Sequence, residues 1–330
     1  MILIGFLRIC GNIRPTALAT AAKILANIEK VIIGKRPQIT MALVAYFCEG
    51  HILLEDVPGV AKTMLARALA KSVGCTFKRL QCTPDLLPTD VTGVSVFNQK
   101  TTEFEFRPGP IFAQTVLADE INRTTPRTQS ALLEAMGEQR VTVDGQTYAL
   151  RSPFLLMATQ NPIDHEGTFP LPEAQLDRFF FKLKVQYPTE DGMHEILERT
   201  TRDADTAVGR VADRAELMEM RHVARSVAVA RPVQSYAIRL TLGSHPDSPY
   251  ATPLVKRYVR YGASPRAAQA LVLGGKIQAL TRGQAFVSID DIRAVALPAL
   301  RHRLLLNFEG EANEVSTDTI VEELLRGIAP

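Results

Sequence analysis

An excess of charge of one sign, paired cysteines and long apolar runs are all missing from this 330-residue sequence, and each absence removes a class of function. Lysine and arginine number 38 against 35 aspartates and glutamates, a formal net charge of +3. A protein built to neutralise many backbone phosphates concentrates more positive charge than that, so no nucleic-acid partner is expected. The four cysteines, Cys10, Cys48, Cys75 and Cys82, form no C-x-x-C pair and lie near no histidine at metal-ligand spacing. They are expected to be free thiols of a reducing compartment. The apolar start, MILIGFLRIC, is too short to span a bilayer and lacks the basic start and cleavage site of a signal peptide. A cytoplasmic protein with no membrane span is the expectation.

What is present is a balance of 46% hydrophobic and 22% charged residues, enough apolar material for one large or two ordinary domains. Short apolar segments with strand character fall at His51–Glu55, Thr76–Leu80, Thr115–Ala118, Phe154–Ala158 and Phe179–Val185. Helical patterns alternate with most of them, at Gln38–Glu49, Ala61–Val73 and Pro126–Gly137. That alternation argues for an α/β fold with a parallel sheet covered by helices on both faces. Two interruptions follow: a Pro- and Gly-punctuated segment at about 83–112, and a hairpin at about 139–152 turning on Asp144-Gly145. After Pro188 the strand signals stop and helical patterns take over. The expected division is an α/β core over 1–187 and a smaller helical domain over 188–330.

The apolar strand at His51–Glu55 runs into Asp56-Val57-Pro58-Gly59-Val60-Ala61-Lys62-Thr63 and then, from Met64 on, a helical pattern. Strand, turn and helix in that order are what a P-loop requires. Backbone N–H groups at a helix N-terminus, reinforced by the helix dipole, bind phosphate. Lys62 would reach the β- and γ-phosphates and the Thr63 hydroxyl would ligate Mg²⁺. Asp56 and Ala61 replace the two glycines of the usual pattern, and Ala61 is tolerable there if its φ is negative. Downstream, Thr115–Ala118 ends in Asp119 and Glu120. The first acid can hold the Mg²⁺ water shell and the second can polarise the attacking water. Asn161, at the tip of a further strand, has an amide that could bond the γ-phosphate or the lytic water. Arg178 is a candidate to meet a neighbour's γ-phosphate, and Arg266, one turn into a helix of the second domain, could reach back to the same phosphates and couple the lid to nucleotide state. Ser264 and Pro265 give Arg266's helix a well-formed start.

The separated motifs VPGVAKT, QCTPDLLPTDVTG, FRPGPIF, LADEINR, TQSALLEAM, ATQNPI, EGTFPLPEAQLDRF, GASPRA and LRHRLLL resemble those of the MoxR-type AAA+ ATPases, from about residue 20 to 310. The resemblance implies an AAA+ P-loop αβα domain followed by a small all-helical lid, assembled into rings that are typically hexamers. It implies ATP and Mg²⁺ as ligands, with Val57–Thr63 and Met64 around the phosphates and Val31-Ile32-Ile33-Gly34 near the adenine. Asp119 and Glu120 would be Walker B, Asn161 sensor 1, Arg178 the trans-acting finger and Arg266 the second sensor, with Arg123 at an interface. It further implies chaperone-like remodelling of partner proteins, often ones with a von Willebrand factor A domain. Other readings of the same residues are a magnesium-chelatase-like motor, a nucleic-acid motor and a nucleotide switch with little turnover. A shorter connection than the one at 248–258 is expected before GASPRA. Phe104, Phe106 and Arg107 are open to two uses, contacting a partner or packing on their own domain.

Overall fold

The structure, a computed structural model, describes residues 18–56, 61–161, 167–201 and 207–329. Helix α1 (residues 18–29) and α2 (Arg36–Phe47) lead to β1 (Ile52–Asp56), α3 (Lys62–Ser72) and β2 (Phe77–Gln81). The first interruption folds as α4 (Pro88–Thr92) and the hairpin β3 (Gly93–Asn98) and β4 (Glu103–Pro108). Then come β5 (Thr115–Asp119), α5 (Pro126–Glu138), the hairpin β6 (Arg140–Val143) and β7 (Gln146–Ala149), β8 (Leu155–Gln160), α6 (Glu173–Leu176) and β9 (Phe181–Val185). The remaining helices are α7 (Glu190–Thr200), α8 (Arg214–Ser226), α9 (Arg231–Gly243), α10 (Pro253–Tyr258), α11 (Pro265–Thr281), α12 (Ile289–Leu300), α13 (Phe308–Ala312) and α14 (Thr317–Gly327).

Strands β2, β5, β8, β1 and β9 form one five-stranded parallel sheet in that order. Side chains alternate strictly across it, as the period of two demands. Ile52 and Leu54, Leu117, Leu155 and Met157, and Phe181 and Leu183 enter one apolar core with α1, α2, α3 and the later helices. Leu53, Val116 and Ala118, and Leu156 and Ala158 enter a second core against α5. The central strands are therefore apolar throughout, which is why they stood out in the sequence as unbroken runs. The first core continues past residue 187 without a break, from Val185 to Val208, Leu217 and Leu271.

Both interruptions contain an antiparallel hairpin. Asp144 and Gly145 hold φ of 49° and 78°, the pair of positive values that a tight two-residue turn needs. On the other hairpin, Phe106 stacks on Tyr148 at 4.2 Å, so the two hairpins pack on each other. Phe104 and Phe97 pair edge-on at 5.3 Å but stay exposed. The helical region is not free of strands: Val259–Tyr261 (β10) and Leu305–Leu306 (β11) form a short antiparallel pair. Residues 248–258 are not a slack connection, because α10 occupies most of them. Arg257 there pairs with Glu309, and Ser244 Oγ accepts the Ala263 N–H at 2.8 Å just before α11. Among the described residues no helix is long and apolar enough to cross a membrane.

A buried ion pair fixes α8 against the end of α2. Arg221, 4% exposed, donates to Glu49 Oε1 at 3.2 Å and to the Tyr46 carbonyl at 2.8 Å. Arg225 holds the other Glu49 oxygen at 3.1 Å. The two partners are not equivalent, because Arg221 is buried and Glu49 keeps a second cation. Glu49→Gln should therefore destabilise more, by about 3 kcal/mol, since it strands a buried guanidinium. Arg221→Met should cost about 2 kcal/mol, mainly for the orphaned Tyr46 carbonyl. Urea denaturation midpoints of the two variants check the order, and a larger loss in Arg221→Met would contradict it.

Candidate functional site

Because all five strands run parallel, their C-terminal ends share one edge of the sheet. Asp119 closes β5, Asn161 follows β8, and Lys62 opens α3 after the turn that leaves β1. Strands β5, β8 and β1 are neighbours, so these three residues meet at one edge. Helix α3 points its N-terminus there with no side chain capping it among the described residues. The first N–H groups of such a helix suit an anion. Val57, Pro58, Gly59 and Val60 lie outside the described residues. Ala61 does not have the negative φ that would make it easy in this turn. Its φ is +63°, the left-handed region, which costs a residue with a Cβ about 1 kcal/mol. Thr63 is half-buried in the first turn and Met64 is exposed. Ile33 is half-buried, and Gly34, at φ +68°, has open space around it.

The two acids are held tightly. Asp119 is 8% exposed, with Thr159 Oγ1 donating to its Oδ1 at 2.7 Å. Arg79 of β2 donates to Oδ2 from Nε at 3.0 Å and from its terminal nitrogen at 2.6 Å. Thr159 Oγ1 also accepts the Glu120 N–H at 2.7 Å, so one hydroxyl ties both acids to the neighbouring strand. Glu120 sits at φ 59°, a strained conformation of the kind that concentrates at functional sites. Its carboxylate accepts from Gln81 Nε2 at 3.0 Å and lies 3.5 Å from Arg123. Thr159, Arg79 and Gln81 were not singled out from the sequence. The two β2 residues could have been found by alternation, since Arg79 and Gln81 are polar on a strand ending beside β5.

A hydroxyl, a carboxylate and an uncapped helix N-terminus suit a hard divalent ion on a phosphate chain. Nothing in this donor set argues against nucleotide and Mg²⁺: Thr63 and Asp119 would hold the metal, and Lys62 with the α3 N-terminus the phosphates. No cluster of three or more histidine, cysteine or carboxylate side chains suited to a metal occurs among the described residues.

Arg178 and Arg266 are elsewhere. They line one cavity of about 270 Å³ together with Gly50, His51, Gly137 and Asp177. His51 precedes β1 and the P-loop follows it, so this cavity is at the opposite, N-terminal edge of the sheet. The five residues of β1 between the two sites span roughly 16 Å. Arg178 donates to the Leu133 carbonyl at 2.9 Å, and a Cβ on Gly137 would sit 2.8 Å from its guanidinium. Helix α5, which carries that carbonyl, is anchored by His51. The His51 Nδ1 accepts the Leu156 N–H at 3.0 Å, leaving Nε2 to donate to the Met136 carbonyl at 3.3 Å. Burial holds this imidazole neutral by pushing its pKa down to about 4. Arg266 pairs with Asp177 at 3.0 Å. Burial works to raise the Asp177 pKa, but hydrogen bonds from Ser264 and Arg266 and the Arg303 charge outweigh it and hold the carboxyl low.

Residues 51–181 match the ATPase family associated with various cellular activities (AAA), and residues 252–324 match the AAA lid domain. The chain is 45% identical over 310 residues to the uncharacterised protein YeaC of Bacillus subtilis, covering 93% of each. It is 39% identical over 310 residues to the chaperone MoxR1 of Mycobacterium tuberculosis, covering 94% of this chain and 82% of that one. A crystallised candidate ATPase from Cytophaga hutchinsonii superposes with a TM-score of 0.91 at 37% identity over 98% of both chains. Identity of this extent along nearly the whole chain, on the same sheet and helical region, makes the protein a member of the MoxR family of AAA+ ATPases.

Proposed function

We propose that this protein hydrolyses ATP, with Mg²⁺, at sites shared between neighbouring copies in a ring, and uses the cycle to remodel partner proteins. The observation that carries the reading is the separation of charge between the two sheet edges. Lys62, Asp119, Glu120 and Asn161 gather at one edge, whereas Arg178 and Arg266 lie exposed at the other, roughly a strand length away. A phosphate on this chain's own P-loop is out of reach of its own Arg178 and Arg266. A second copy, docked edge to edge, brings them together. A core to about residue 187 with a helical lid after it, and a closed hexamer, are the arrangement we infer. The chaperone name of the relative from Mycobacterium tuberculosis supports protein remodelling, and a von Willebrand factor A domain partner is part of the same proposal.

Each side chain then has a task its position suits. Lys62 and the α3 N-terminus bind the phosphates, and bound Mg²⁺ would neutralise charge between them. Glu120, released from Gln81, orients and polarises the attacking water, and Asn161 fixes it from the β8 side. Asp119 keeps its geometry through Thr159. Arg178 and Arg266 of the adjoining copy meet the charge that develops on the γ-phosphoryl oxygens. When that phosphate leaves, their contact is lost and the interface shifts, which is the form in which such enzymes deliver work.

Glu120→Gln is expected to bind ATP normally while turnover falls at least a hundredfold or so. Arg178→Ala should lose on the order of a thousandfold. In the unmodified protein, turnover per chain should rise with protein concentration as copies assemble. Turnover that is constant on dilution and indifferent to Arg178→Ala would sink the shared-site reading.

Ala61→Gly tests the strained turn separately. Glycine relieves the left-handed penalty but gives up some unfolded-state restriction, so a gain of up to about 1 kcal/mol is expected. Thermal denaturation would show it as a raised midpoint, and a lowered midpoint would mean that the turn does not need a positive φ.

A further inference from the structure

Two carboxylates, Glu49 and Asp177, line the cavity that holds Arg178 and Arg266. Glu49 is committed to Arg221 and Arg225 on α8. Asp177 is adjacent to Arg178 in the chain and bonded to Arg266 in space. Its Oδ2 accepts from Arg266 at 3.0 Å, its Oδ1 accepts from Arg303 Nε at 2.9 Å, and the Ser264 hydroxyl lies 2.8 and 2.9 Å from the two oxygens. Arg303 is the fixed point of this group. Its side chain is 2% exposed, and it also donates to the main-chain carbonyls of Asp177, Phe179 and Ala299.

Arg266 is different, with 57% of its side chain exposed. Such a side chain has many rotamers to lose, and an ordinary surface ion pair does little to restrain it. Here the carboxylate it meets is already immobilised by Arg303 and Ser264, so ordering the pair costs only the freedom of Arg266. The same carboxylate separates the Arg266 and Arg303 charges, which repel. We propose that Asp177 is the positioning residue of the arginine pair, holding Arg266 beside Arg178 in the pose that a neighbouring copy's nucleotide requires. It touches no substrate and acts through Arg266. The inference rests on the shared-site reading above, and it carries a consequence that a merely structural role lacks. A defect at Asp177 must appear in the neighbour's nucleotide site and leave the chain's own site intact.

The experiment is a subunit-mixing assay. Asp177→Asn should keep its affinity for a fluorescent ADP analogue, while kcat in the homogeneous assembly falls roughly tenfold to a hundredfold with little change in KM. Lys62→Ala, dead at its own P-loop but intact in its arginines, should be inactive alone. Mixed together, the two should regain turnover, because Asp177→Asn chains then face competent arginines. Arg178→Ala mixed with Lys62→Ala is the control for sharing itself. If the control recovers and the Asp177→Asn mixture does not, the positioning role is overturned and the shared site stands. If the control also fails, the shared-site reading falls and takes this inference with it. Should Asp177→Asn not fold, Ser264→Gly decides the matter. Glycine is an acceptable N-cap, yet it removes the hydroxyl from both Asp177 oxygens. The same pattern with a smaller loss is expected, and loss of the variant's own nucleotide binding would overturn the proposal.

Discussion

A parallel sheet has two chemically different edges, and the candidate site residues of this chain divide between them. With all five strands pointing the same way, every turn that follows a strand lies on one side and every approach to a strand on the other. The first edge receives helix N-termini and strand-end carboxylates. The second receives the ends of α2 and α5 and the segment after α6. Lys62, Asp119 and Asn161 belong to the first by connectivity alone, and Arg178 to the second. No side-chain rearrangement exchanges them, because the separation is set by β1, whose Ile52, Leu53 and Leu54 are buried, Leu53 on one face and the other two on the opposite face. On the shared-site reading, the need for another copy is a consequence of strand direction and does not depend on the details of any contact.

Within the phosphate edge, electrostatics explain how two acids can be held so close together. Two carboxylates on consecutive residues repel, and Asp119 is nearly buried. The chain answers with Arg79 on one side and Arg123 on the other, and with a threonine hydroxyl that donates to Asp119 while accepting from the Glu120 amide. Glu120 is thereby turned through a left-handed residue away from the direction of β5, so the two carboxylates face different groups. Arg79 and Gln81 come from the same face of β2, one for each acid. This strand is thus the support of the acidic pair, although nothing in its own sequence carries chemistry.

How much of this was legible beforehand depended on the range of the interaction. Asp144-Gly145 announced its turn because the demand for positive φ is local to two residues. The central strands were legible because burial on both faces leaves an apolar run. Lys62, Thr63, Asp119, Glu120 and Asn161 could be nominated because each follows such a run, so position in the chain fixed position at the edge. Strands β10 and β11 were not legible, since three and two residues carry no periodicity. Nor was the support of the site: Thr159 reaches Asp119 across 40 positions, and Arg303 reaches Asp177 across 126. The left-handed Ala61 was missed for a different reason, because an alanine gives no signal of the conformation that neighbouring backbone imposes on it.

The placement of Asp177 also bears on how the helical region is coupled to the rest. Ser264 and Arg266 open α11, and Arg303 follows α12; all three converge on a carboxylate that belongs to the core side. A second tie runs from Arg221 on α8 to Glu49 and the Tyr46 carbonyl at the end of α2. A third joins Asp318 on α14 to Lys184 on β9. Two of these ties are at the N-terminal edge, and their innermost members, Arg221 and Arg303, are almost wholly buried. Breaking either would strand a charge in an apolar setting, which is costly. The helical region and the arginine segment are thus joined through buried side chains. On the shared-site reading, whatever Arg178 and Arg266 feel from a neighbour's phosphate is passed directly to the helices of their own chain. The signal between copies then needs no separate linkage, because the residues that sense the phosphate and the residues that anchor the helices meet on one aspartate.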